Sequence, residues 1–225
     1  MLRLISKIII WCIALFIGTS VLAVVIYKYI PVYITPTMVI KSIEQDNGWQ
    51  HQWTPLEEIS ENMSLAVIAS EDNLFMSHNG FDFQQIKIAA EEAKKGGRQR
   101  GASTITQQTA KNVFLWQGRS WIRKGIEAYF TLLIEFIWGK ERIMEVYLNS
   151  IEMGEGIYGV QAIANANFNK DASQLSRREA ALIAATLPNP VKYSSKNPSR
   201  YMRKRQSQIT RLMRLVENPH LGCKN

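Results

Sequence analysis

Apolar residues along the chain follow two patterns, one unbroken and one periodic. Residues 8–27 read IIIWCIALFIGTSVLAVVIY, twenty positions without a charge. At 1.5 Å of rise per residue such a helix spans about 30 Å, the hydrocarbon thickness of a bilayer. Beyond it the apolar positions recur at helical spacing. Residues 63–69 predict an apolar helix that stops near Ser70-Glu71-Asp72, and Phe83, Ile86, Ala90 and Ala93 mark a second. That second helix is broken by the charged run Lys94-Lys95-Gly96-Gly97-Arg98. Residues 121–138 are apolar all round, the pattern of a buried central helix. Gly139 interrupts them, and Ile143, Met144, Tyr147 and Leu148 continue a helical face.

Punctuation supports the same reading. Thr54-Pro55-Leu56-Glu57 has the form of a capping box with proline at the first helical position. Ser176-Arg177-Arg178-Glu179 is a second capping box, opening an alanine-rich helix closed by Pro188 and Pro190. A basic amphipathic helix follows over 201–216, and strand signals are confined to short pieces near 32–40. The expected fold is mostly α, with one N-terminal transmembrane helix. The expected division is a cytoplasmic tail at 1–7, a signal anchor at 8–27, a stalk or linker at 28–53 and a helical domain at 54–225. Pro31 to Pro36 reads as extended stalk, with Tyr29 and Tyr33 at interface depth.

A cleaved signal peptide is the alternative for the apolar run, but its hydrophobic region usually covers only about 7–15 residues. Length therefore favours an uncleaved anchor, single-pass, with the large domain outside. Arg3 and Lys7 before the span and Lys28 and Lys41 after it give only a slight orienting asymmetry.

Composition narrows the choice. The 225 residues suffice for one packed domain plus an appendage, and 46% hydrophobic content excludes wholesale disorder. Cys12 lies in the apolar run and Cys223 near the C-terminus, so no disulfide framework is expected. His51, His78 and His220 are isolated from one another and from both cysteines, which argues against a zinc site. Lys and Arg total 27 against 19 Asp and Glu, a net charge of +8. The isoelectric point near 9.5 raises nucleic-acid binding, but no recognised binding motif accompanies it and no nucleic-acid partner is expected.

Four stretches could carry chemistry. In the first, from Glu71 to Asp82, acidic residues sit at a helix C-terminus, where the macrodipole favours cations. Two readings stand: a carboxyl with raised proton affinity, suited to general-base work on a hydroxyl, or a loop in which Asp72 and His78 make turn hydrogen bonds. The second, Gly101-Ala102-Ser103-Thr104-Ile105-Thr106-Gln107-Gln108 with Lys111 and Asn112, is by itself an ordinary helix start. Its free N–H groups could also hold an anion. In the third, Ser120 can cap a helix that carries Arg123, Lys124 and Glu127 in its first two turns. Arg123 and Glu127 share a face, as a surface ion pair or as one wall of a cleft. The fourth, Lys140 to Asn149 followed by Gly154, Gly156 and Gly159, has a structural character.

In this order the four stretches resemble the signatures of the peptidoglycan glycosyltransferases, lysozyme-like polymerases of the bacterial cell wall. The pattern E-D-x-x-F-x-x-H-x-G falls on Glu71, Asp72, Phe75, His78 and Gly80, and G-x-S-T-I-x-Q-Q on Gly101, Ser103, Thr104, Ile105, Gln107 and Gln108. The pattern R-K-x-x-E falls on Arg123, Lys124 and Glu127, and E-x-Y-L-N on Glu145, Tyr147, Leu148 and Asn149. The match covers about 65–190 and resembles the monofunctional members, since no S-x-x-K motif of a transpeptidase appears. Met153 and Asn167 depart from residues common in the family.

The resemblance implies a lysozyme-like glycosyltransferase domain that transfers a growing lipid-pyrophosphate-linked glycan to the 4-hydroxyl of lipid II. The product would be a β-1,4 link, formed with inversion and release of undecaprenyl pyrophosphate. It implies Glu71 as base, with Glu127 as a second catalytic carboxylate that orients cations or holds a divalent metal, magnesium or manganese. Lys111, Arg119, Arg123 and Lys124 would meet the pyrophosphate. Ser103, Gln107, Gln108 and Asn112 would contact substrate oxygens. The expected place is the inner membrane with the domain on its periplasmic face. Expected partners are lipid II, the nascent glycan, the membrane, and cell-division or wall-synthesis proteins. The basic helix near Arg200 faces either anionic headgroups or solvent. The nearest rival is a lysozyme-type hydrolase, which needs two carboxyls but no gathering of cations beside one of them.

Overall fold

The apolar run folds as α1 (Leu2–Tyr29) in a computed structural model that describes residues 2–45, 48–94, 96, 101–118, 120–216 and 221. Its stretch Arg3–Tyr29 is long and apolar enough to cross a membrane. The last turns of α1 are fastened to the domain. The Trp138 indole N–H donates to Val24 O at 2.7 Å, and the Arg142 guanidinium donates to Tyr27 O and Ile30 O at 2.7 and 2.6 Å. Tyr27 O is one of the carbonyls that the end of a helix leaves without intrahelical partners, and Arg142 occupies it.

Residues 31–35 carry neither helix nor strand, but the rest of the expected stalk or linker includes regular structure. Pro36 opens α2 (Pro36–Gln45), which lies against α5 (Ile105–Phe114), and the strand signal near 32–40 is not realised. Proline at the first position has no N–H to lose, while buried Met38 gives the helix an apolar contact. Strand β1 (Gln50–His51) follows.

The expected cap at Thr54 is also absent, because the Asn149 side-chain amide takes both backbone groups of that residue. Thr54 N–H donates to Asn149 Oδ1 and Asn149 Nδ2 donates to Thr54 O, each at 2.8 Å. Only a short 3-10 turn, Leu56–Glu58, forms there. The apolar segment beyond it is α3 (Glu61–Glu71), which stops where the sequence indicated.

The buried central helix is α7 (Lys140–Ser150), not the one preceding it. Ile143, Met144, Val146, Tyr147, Leu148 and Asn149 are all buried on α7. Helix α6 (Trp121–Ile137) instead buries Glu127, Phe130, Thr131 and Ile134 and leaves Trp121, Ile122, Leu132 and Phe136 exposed. It lies beside α1, joined by the Ser20–Tyr129 hydrogen bond at 2.7 Å. Its apolar outer side continues the apolar surface of α1, which explains why the periodic signal resembled a core helix. Helix α4 (Phe83–Lys94) keeps the predicted spacing but buries none of its residues.

The sheet is small, ordered β1-β3-β2, with β3 (Ile157–Tyr158) parallel to β1 and antiparallel to β2 (Glu152–Gly154). Gly159 must be glycine: its φ is +83°, and a Cβ would lie 2.8 Å from Asn149 O. Helix α8 (Val160–Phe168) starts from it. The Ser176–Glu179 capping box forms as expected on α9 (Arg177–Ala184), which packs between α3 and α10 (Arg200–Leu212). Departing residue Met153 is fully buried, and Asn167 donates to Ser195 Oγ at 2.7 Å.

Candidate active site

Glu71 is the last residue of α3. Burial raises its pKa above the usual carboxylate range; a hydrogen bond from Gln108 and the charge of Arg205 oppose that rise, and Asp72 adds to it. The Gln108 Nε2–H donates to Glu71 Oε2 at 3.1 Å, and the Tyr147 hydroxyl donates to Gln108 Oε1 at 3.2 Å. Both supports are neutral groups. Arg205 reaches the same helix end from α10, donating to Ser70 O at 3.5 Å.

Its neighbour Asp72 has a different task. His78 Nε2 lies 2.9 and 3.0 Å from the two Asp72 oxygens, and Ile105 N–H donates to Oδ2 at 3.0 Å. Asp72 therefore ties the loop and the first N–H of α5 to the end of α3, an anion serving a helix N-terminus. Asp72 and His78 bond to each other, as the loop reading expects, but Asp72 is buried rather than solvated, and Glu71 stands apart from that network.

Glu127 is buried in the second turn of α6, where Ser120 caps the helix through the Arg123 N–H. Arg123 Nη1 donates to Glu127 Oε2 at 3.0 Å, and Lys124 Nζ donates to Oε1. Lys111 adjoins them: burial lowers its pKa, Glu127 counters this, and Arg123, Lys124 and Lys41 add to the lowering. Lys41 is itself held by Glu152.

Helix α5 serves both carboxyls. Its start is a capping box, Thr104 Oγ1 accepting from Gln107 N–H and Gln107 Oε1 accepting from Thr104 N–H. Thr104 also donates to Gly80 O at 2.7 Å, which pins the loop after Glu71. Gln108 and Lys111 stand three residues apart, neighbours on one helix face. The first addresses Glu71 and the second the Glu127 group.

The expected substrate contacts sort unevenly. Lys111, Arg123 and Lys124 gather around Glu127, Arg123 and Lys124 as their spacing implied and Lys111 as the family resemblance did. Ser103 is exposed and precedes the cap. Gln107 is buried with its carbonyl oxygen used in the capping box, and Gln108 is turned to Glu71, so both are engaged within the protein rather than presented as free sugar contacts. Asn112 is buried with Nδ2 unpartnered. Arg119 lies outside the described residues, as do Lys95, Gly97, Arg98, His220 and Cys223. Sequence reasoning gave Tyr147 only a structural place and assigned no site role to Arg205 or Lys41, because spacing along the chain gives no sign of their contacts.

A protein-held metal fits poorly at Glu127, since Arg123 and Lys124 already engage both of its oxygens. Among the described residues no three His, Cys, Asp or Glu side chains group to hold a metal ion.

A helical domain behind one long apolar helix, with a half-buried and a buried carboxyl of opposite surroundings served by one helix, fits an enzyme of the glycosyl-transfer class. The transglycosylase family model matches residues 37–214, and the chain belongs to that family. The match begins inside the stretch first assigned to a linker. A biosynthetic peptidoglycan transglycosylase of Bacteroides thetaiotaomicron is 58% identical over 206 residues, covering 89% of this chain and 83% of its own. One of Pseudomonas entomophila is 48% identical across 97% of this chain and 93% of its own, and one of Bdellovibrio bacteriovorus 50% identical across 90% and 83%.

Proposed function

We propose that this chain polymerises the glycan strands of the bacterial cell wall, taking the growing lipid-pyrophosphate-linked glycan as donor and lipid II as acceptor. Glu71 removes the proton of the acceptor's 4-hydroxyl as that oxygen attacks the anomeric carbon. A sugar hydroxyl holds its proton far above neutral pH, so a base must act as the bond forms. Inversion follows from a single displacement, and undecaprenyl pyrophosphate leaves. Lys111, Arg123 and Lys124 receive the charge that collects on the departing pyrophosphate, the role the family resemblance also gives Arg119. Glu127 is the second carboxylate of the reaction and holds those cations in place. Ser103 and Asn112 border the sugar path. A divalent cation, if it takes part, enters with the substrate phosphates, and no step here depends on it.

Helix α1 anchors the enzyme in the membrane that holds its substrates' lipid tails, in the inner membrane with the domain outward. Confinement to that layer raises the effective concentration of enzyme and substrate. Wall-synthesis or cell-division proteins are the partners this placement brings within reach. The observation that carries the reading is the contrast between a carboxyl raised by burial and one set among cations, within a chain of the transglycosylase family. The test is purified full-length chain with fluorescent lipid II. Polymer from the wild type and none from Glu71→Gln is the expected result; polymer from both removes Glu71 as base.

A further inference from the structure

We infer that Tyr147 is a positioning residue for the reaction: its hydroxyl sets which end of the Gln108 amide faces Glu71. An amide has two unlike ends, an oxygen that accepts and an NH2 that donates. With Tyr147 donating to Oε1 at 3.2 Å, the NH2 is turned to Glu71 and donates at 3.1 Å. A donor in that place favours the ionised carboxylate, the form that can accept a proton. The reversed amide would set an oxygen against Glu71 and favour the protonated acid. The inference rests on Glu71 being the base.

Several observations keep the line in one sense. Tyr147 is fully buried on the central helix α7, so its hydroxyl has no water to turn to. Burial, and secondarily Glu71 and Asp72, hold the phenol well above its ordinary value, so it stays a donor. The charge of Arg205 also favours the ionised carboxylate, but it acts on Glu71 from a distance and does not orient the Gln108 amide. Asp72 is engaged by His78 and the Ile105 N–H, and Arg205 donates to Ser70 O. From α9, Arg177 donates to Met213 O and Glu179 pairs with Lys170. On α5 the nearest cation, Lys111, belongs to the Glu127 group.

The experiment is the pH dependence of lipid II polymerisation by the full chain, as wild type, Tyr147→Phe, Gln108→Met, the double variant and Glu71→Gln. Tyr147→Phe should move the acid limb of the kcat profile up by about one pH unit, a tenfold loss on that limb, with KM unchanged and the rate recovered at higher pH. The double variant should be no worse than Gln108→Met, because Tyr147 acts through Gln108. A loss uniform across pH, a raised KM, additive effects or an unmoved limb would overturn the inference. Should Tyr147→Phe not fold, Gln108→Met breaks the same line at its centre. An acid limb left in place then overturns the inference, and one moved upward supports it. If Glu71→Gln is inactive while Tyr147→Phe matches the wild type, only this inference fails. If Glu71→Gln polymerises normally, the base assignment fails with it.

Discussion

Glu71 and Glu127 are the same residue type, both withdrawn from water, in surroundings of opposite character. Glu71 leans on a neutral amide that is itself held by a neutral phenol, while Arg205 donates to the adjacent Ser70 carbonyl and acts on the carboxylate only through its charge. Glu127 is gripped by Arg123 and Lys124 and lies within the field of Lys111. The difference separates their chemistry. A carboxyl raised by burial and bonded to a neutral amide binds a proton more readily than an ordinary one and can act as a base, whereas one bonded to cations serves to fix those cations in space. Two inequivalent carboxyls divide the labour of one displacement, proton removal on one side and charge reception on the other.

The sharpest way to break the comparison is to exchange charge for shape at each carboxyl. Glu71→Gln should lower the polymerisation rate by about 10²–10⁴-fold with little change in stability, measured by turnover of fluorescent lipid II beside thermal unfolding. Glu127→Gln should differ by costing stability as well, about 3 kcal/mol, because it leaves the largely buried Arg123 without its partner. Denaturant titration of the detergent-solubilised chain reads that loss. A stable Glu127→Gln would mean that the cations hold themselves apart without it.

The pH profile sharpens the contrast. Glu71, raised by burial, should fail as a base on an acid limb above the ordinary carboxylate range. The folded state then binds the extra proton between the ordinary and the raised values, so stability rises as pH falls through that window while activity is lost. Lys111, lowered by burial, should surrender its charge at a pH below that of an ordinary lysine, setting the alkaline limb. Between its lowered and ordinary values the folded state holds fewer protons, so stability rises with pH as activity falls. Lys111→Arg should move that limb upward, because a guanidinium keeps its proton.

The smallest effect concerns the helix joining the two regions. Thr104→Ala removes the α5 cap and the bond to Gly80 O, and should cost about 1 kcal/mol with both limbs of the profile unmoved. A shifted acid limb in that variant would show that the loop after Glu71, and not Gln108 alone, governs its proton affinity.

Local chemistry in the sequence was enough for the parts of this protein that depend on near neighbours. The apolar run of α1, the cap at Ser120, the capping box at Ser176 and Glu179, the end of α3 at Glu71 and the Arg123–Glu127 pair all follow from side chains within four residues of one another. Tertiary structure decided the rest. Asn149 took the backbone of Thr54 across 95 positions of chain, and an expected helix start became a 3-10 turn. Gln107 and Gln108, adjacent and chemically identical, were assigned to a helix cap and to Glu71, because successive residues on a helix face different neighbours. The outer side of α6 faces outward beside α1, while α7 occupies the interior. Periodicity reports that a face is apolar, but what lies against that face is settled only when distant segments pack.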